Sequence, residues 1–297
     1  MSPEEILAYE SRARIRRAAV AIVAAVLVMA AALVQLSGPH TTVNEETLSL
    51  LTFNRRAPRD LISAVISAIG TVAVAWTLLE LWRSARARNP EKVRTWLRTI
   101  VLVGTVLDSV IAVAYAVILT QKAHEFATTG AQTYDEAVRL TGGSALLILQ
   151  LLGFLGAFLI AIAFVMVSLQ AMNQGLLTRF MGYLGMFAGA LVLFQITQVP
   201  VVQAFWLVAV AYLMSGKWPT GLPAAWGSGR SEPWPSSSEM RARRAAEAGS
   251  RAGGGQRAAG GPRGRAKPTT VPAAQVEGGG QPQHVPGASR RKRKRRG

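Results

Sequence analysis

The sequence predicts an all-α integral membrane protein: a six-span transmembrane helix bundle followed by a disordered C-terminal tail. Three observations carry this. Half of the 297 residues are apolar and the mean hydropathy is +0.26, yet the formal net charge is +17. That charge is gathered at one end, because residues 216–297 hold 17 of the 33 Lys/Arg and only 4 of the 16 Asp/Glu, leaving residues 1–215 at +4. The same end carries 16 of the 28 glycines and 9 of the 14 prolines, a composition that buries too little apolar surface to offset the entropy of ordering. The division is into a basic N-terminal segment (1–17), a membrane domain (18–216) and a Gly/Pro/Arg-rich tail (217–297). A soluble globular enzyme is excluded, and without cysteine so are a disulfide scaffold and thiol chemistry.

A helix crosses about 30 Å of hydrocarbon with about 20 residues. Ser2-Pro3-Glu4-Glu5 has the form of a helix start, with a capping serine, a first-turn proline and a glutamate three positions on. Ala18–Leu36 is 19 residues without a charge, longer than a signal-peptide core, and is expected as an uncleaved first span. Asn44 is expected to cap a short outer helix ending at Leu51. Leu61–Trp82 is the second span, Asn89-Pro90 a turn, and Thr99–Thr120, interrupted by Asp108, the third. Gly130 belongs to an outer loop. The 39 uncharged residues between Arg139 and Arg179 supply the fourth span, Gly142–Leu169. The next 37, Phe180–Gly216, are split by Pro200 into Phe180–Val199 and Val201–Gly216. They are expected as spans five and six, or as a re-entrant hairpin, and either form returns the tail to the same side.

Arginine placement sets the orientation. Arg12, Arg14, Arg16 and Arg17, the six bases from Arg83 to Arg98, and Arg179 fall on one side. Arg55, Arg56, Arg59, Lys122 and Arg139 fall on the other, diluted by six acidic residues. Both termini are therefore expected in the cytoplasm of a plasma (inner) membrane protein, which requires an even number of spans.

Catalytic motifs are missing. The sequence has no Walker A loop, G-x-S-x-G elbow, H-E-x-x-H or G-x-G-x-x-G, and His40, His124 and His284 are too scattered for a zinc site. Asp108, about 14 Å inside its span, is the residue that asks for explanation, since a bare carboxylate is expensive there. It serves either as a proton or cation site or as an inter-helix hydrogen-bond partner of Gln150, Gln195, Gln203 or a hydroxyl. Gly182, Gly185 and Gly189 share a helix face and permit close packing, within the bundle or between two copies. Trp218, Trp226 and Trp234 recur every eight residues and are expected as interfacial anchors, with an aromatic ligand cage as the alternative. The run Arg290, Arg291, Lys292, Arg293, Lys294, Arg295 and Arg296 suits an anionic leaflet, at on the order of 1 kcal/mol per charge. Nucleic acid is a weaker partner, because no aromatic residue follows Trp234.

The stretch Gly216-Lys217-Trp218-Pro219, Pro223-Ala224-Ala225-Trp226 and Pro233-Trp234-Pro235-Ser236, following a glycine-rich hairpin, resembles the end of a family of uncharacterised actinobacterial multi-spanning membrane proteins. The resemblance covers Thr178–Ser236 and implies no activity; the Gly/Arg tail departs from it. The excess of 27 Arg over 6 Lys accords with a high-GC source. The sequence thus points to a non-enzymatic membrane protein, a structural, accessory or interaction component. The alternative is a small secondary transporter or proton- or cation-coupled permease using Asp108. No cofactor or metal is implied. The partners are the bilayer and, for the tail, anionic lipid, with homo-oligomerisation open.

Overall fold

The computed structural model describes residues 2–37, 46–194, 199–218, 221–234 and 241. The chain divides into two units, Met1–Ser236 and Ser237–Gly297. Of the second, only residue 241 is described, so the basic run Arg290–Arg296 lies outside the described residues.

Every element described is helical: α1 (Pro3–Leu36), α2 (Glu46–Arg88), α3 (Trp96–Thr128), α4 (Tyr134–Thr141), α5 (Ser144–Asn173), α6 (Arg179–Phe194), α7 (Val201–Met214) and α8 (Ala224–Ser228). Four of them, α1, α2, α3 and α5, are long and apolar enough to cross a membrane. The helices α6 and α7, of 16 and 14 residues, are apolar but shorter, about 24 and 21 Å.

In space α1 lies beside α2 and α7, α2 beside α3, α3 beside α5, and α5 beside α6, so that α6 against α7 closes a ring. Large apolar side chains cover its outside, among them Val26, Ile69, Val106, Leu151, Phe187 and Phe205. Small residues line the seams. A Cβ at Gly104 would lie 2.9 Å from Leu159 Cβ, and one at Gly156 only 2.7 Å from the Asp108 amide nitrogen. The seam between α3 and α5 therefore exists because two glycines allow the backbones to approach. The main core fills the centre with Leu78, Leu81, Leu97, Phe164, Trp206 and Leu207. A second cluster, Leu50, Leu119, Phe126, Ala137 and Leu140, ties α2, α3 and α4 at the opposite end from Pro3.

Several boundaries differ from expectation. The capping box at Ser2 and Glu5 is present, and α1 runs unbroken from it through Arg17 into the expected first span. Arg12, Arg14 and Arg16 are exposed, whereas Arg17 is buried. Its guanidinium meets Glu80 at 2.7 Å and donates to Ser84 Oγ. The outer helix expected to end at Leu51 is instead the start of α2, which continues through Pro58; Asn44 lies outside the described residues. Proline removes only one helical hydrogen bond, and packing of Leu50 in the second cluster holds the turns before it. The amphipathic α4 was not anticipated; Thr133 caps it.

The largest correction concerns the tail, which is not free from residue 217. Arg88 of α2 forms a two-pronged pair with Glu10 of α1 at 2.7 and 2.8 Å and also donates to the Ala225 carbonyl. Trp226 Nε1 donates to Leu176 O and Trp234 Nε1 to Leu177 O, both at 2.8 Å. Ser231 donates to the Gln174 side chain, and the Glu232 amide to its carbonyl. Residues 221–234 form a strap tied to α1, α2 and the α5–α6 connection.

Candidate functional site

Between α1, α2, α3 and the α6–α7 pair lies a cavity of about 1100 Å³. It reaches from Gln35 and Leu36 at the end of α1 to Asp108, which is 12 residues, or about 18 Å, along α3. Leu191, Val192, Pro200, Val202 and Gln203 of the α6–α7 pair line it as well. Towards the other end of the bundle, Leu78, Leu81, Leu97 and Trp206 are buried in contiguous core, so below Asp108 the packing is dry.

One wall is a polar stripe. Arg56, Asp60, Ser63, Ser67 and Thr71 follow one another on α2 at steps of three and four, which places them on a single helix face, and all five line the cavity. Arg56 Nη2 donates to Asp60 Oδ1 at 3.4 Å and to the Gln35 carbonyl. Ser63 Oγ donates to Ala31 O at 2.9 Å, holding α1 against α2. Thr71 Oγ1 donates to Asp108 Oδ2 at 3.2 Å. The next residue of α3, Ser109, donates its Oγ to Ala68 O of α2. Asp108 is half-buried, and among the described residues it has no cationic partner.

The stripe therefore descends from an ion pair through three hydroxyls to an unpaired carboxylate. The rest of the lining is mostly apolar, with Val28, Ala31 and Ala32 from α1 and Leu191, Val192 and Val202 from the α6–α7 pair, beside the amides of Gln35 and Gln203. Such a cavity can accept a cationic or hydrogen-bonding group at its closed end and apolar surface along its side. Among the described residues, no three His, Asp or Glu side chains converge to hold a metal ion.

Of the residues the sequence singled out, Asp108 lines this cavity and Gln203 shares it. The partner of Asp108 is the hydroxyl of Thr71 and not Gln150, which is exposed on α5. Gln195 lies outside the described residues. The three glycines seat α6 on its neighbours: a Cβ at Gly182 would lie 2.6 Å from Met172 Sδ of α5, one at Gly185 would collide with Ser168 Oγ of α5 and lie 2.6 Å from Trp206 Nε1 of α7, and one at Gly189 would lie 2.8 Å from Phe164 Cβ of α5. They pack within the bundle. The tryptophans are not three equivalent anchors, because Trp226 and Trp234 spend their N–H groups on backbone carbonyls while Trp218 packs against Tyr212 at 6.0 Å between centroids.

The sequence reading missed the α2 stripe. Arg56 and Asp60 precede the expected span Leu61–Trp82, and Ser63, Ser67 and Thr71 are individually unremarkable in an apolar run. Their common spacing from Arg56 onward was the available signal. Compared with models of protein families, with curated proteins and with solved structures, the chain shows no match to any of them.

Proposed function

We propose that the protein is a multi-pass plasma-membrane permease, with both termini cytoplasmic, that moves a small solute through the Asp108 cavity in exchange for a proton or monovalent cation. The observation that carries this reading is the cavity itself: about 1100 Å³, lined down one side by polar groups and ending at a carboxylate deep in α3. Charged groups within a membrane domain face pathways far more often than lipid, and dry core on the other side of Asp108 suits a state open to one face only. In this reading α6 and α7 complete a six-segment domain as a hairpin whose residues Leu191, Val192, Pro200 and Val202 line the cavity, and the hairpin returns the chain to the cytoplasmic face. The basic tail would then lie on the cytoplasmic side, where an anionic leaflet attracts it.

The test is reconstitution of the full chain in vesicles with a trapped pH dye and an imposed rubidium gradient. Wild-type protein is expected to support coupled proton or rubidium movement, and Asp108→Asn to abolish it. Unchanged flux in that variant would sink the permease reading. It would favour the second one, a structural or interaction component, whose support is the strap that fixes the root of the tail to the bundle.

A further inference from the structure

We infer that the solute taken by this cavity is a monovalent, amphiphilic organic cation; the inference rests on the permease reading and names its substrate class. Charge gives the sign. Among the described residues, the Asp108 carboxylate meets the Thr71 hydroxyl and no cation, while the other charged lining residues, Arg56 and Asp60, face each other nearer Gln35. An anion entering this space meets a surplus carboxylate, whereas one positive charge is complemented.

Size and shape give the class. A hard divalent cation needs a close cage of oxygen ligands, typically six or more. The cavity that ends at Asp108 is instead about 1100 Å³, slightly more than the roughly 300–1,000 Å³ that encloses drug-sized ligands. The lining is of two kinds: Ser67 and Thr71 of α2 lead to the carboxylate, while Ala32 of α1 and Leu191 and Val202 of the α6–α7 pair offer apolar surface. A molecule that fits both kinds has a cationic end for Asp108 and an apolar body of several hundred Å³. A small hydrophilic cation would leave the apolar surface uncovered, and a neutral apolar molecule would leave the carboxylate unsatisfied.

The probe is tetraphenylphosphonium, added to the full-length protein in nanodiscs of phosphatidylcholine and followed by equilibrium dialysis against empty nanodiscs. Saturable binding of one cation per chain is expected. Asp108→Asn, which keeps the size and the Thr71 contact, should weaken it at least tenfold, and Thr71→Val several-fold. Ala32→Trp should remove it by filling the cavity. Triphenylphosphine oxide, a neutral analogue, should not compete. Each variant is checked for a wild-type thermal transition, so that a folding defect is not read as lost binding.

If wild type binds no tetraphenylphosphonium while proton or rubidium flux still depends on Asp108, the organic-cation assignment is overturned and the permease stands. If neither binding nor flux is seen, both fall. Saturable binding that all three variants retain would also overturn the assignment, since the cation would then sit elsewhere.

Discussion

Arg88 is buried completely, with Glu10 across from it and the Ala225 carbonyl above. Its ring contact with Trp226, at 5.4 Å, completes an enclosure in which every neighbour assumes a positive charge. Removing one partner of such a pair strands the other, at about 3–5 kcal/mol. Arg88→Met is therefore expected to lower stability in detergent by that order, read as a shift in thermal unfolding, and to open residues 221–234 to protease. Glu10→Gln combined with Arg88→Met should be less destabilised than Arg88→Met alone, because no carboxylate is left uncompensated. The pair Arg17–Glu80, at 2.7 Å, lies about two turns deeper, and there Glu80 also pairs with Arg83. None of this was legible in the sequence. The arginines of residues 12–17 look alike as a topology signal, and only packing shows that Arg17 turns inward while its neighbours face out. Asp108, by contrast, was legible because a lone charge in an apolar run has no other excuse.

Helix packing here is decided by glycines whose missing Cβ is occupied by a neighbour. Gly156→Ala would drive a methyl group to 2.7 Å from the Asp108 backbone, which cannot swing aside as a side chain can. A loss of about 1–3 kcal/mol is expected from such overpacking, together with a shift of Asp108 that impairs any Asp108-dependent flux. Gly143→Ala has nothing within 4 Å of the new methyl and should stay within about 0.5 kcal/mol of wild type; equal thermal shifts in the two variants would contradict the packing account. The Pro200 break was readable, as were the four long helices, since charge-free length is a one-dimensional property. The α2 stripe was not, because serine and threonine in an apolar run betray their role only once the face they share is known. The strap at 221–234 was misread for a similar reason. Its Pro/Gly content predicts disorder, but two indole N–H groups meeting the carbonyls of Leu176 and Leu177 give it a fixed seat.

At the scale of the molecule, the absence of cysteine makes single-thiol scanning free of background. In the proposed orientation, Ser37→Cys is expected to react with an impermeant maleimide added outside intact cells, and Asn89→Cys only after lysis. The reverse pattern would invert the orientation and put the cavity mouth on the cytoplasmic side. Ser67→Cys, on the cavity wall, should react from the same side as Ser37→Cys, while Leu78→Cys in the core should stay unreactive. The partners of the buried ion pairs also lie far apart in the chain, 78 positions between Glu10 and Arg88. At roughly 5–20 residues per second, the ribosome finishes Arg88 about 4–16 s after Glu10. Through that interval the ionised turns of the first helix stay in water, since the partners that bury them, Glu80, Ser84 and Arg88, have not yet been made. Its early depth in the bilayer is thus limited by timing as well as by hydrophobic length. Synthesis of the second helix then permits the charged ends to close, a step of assembly distinct from insertion.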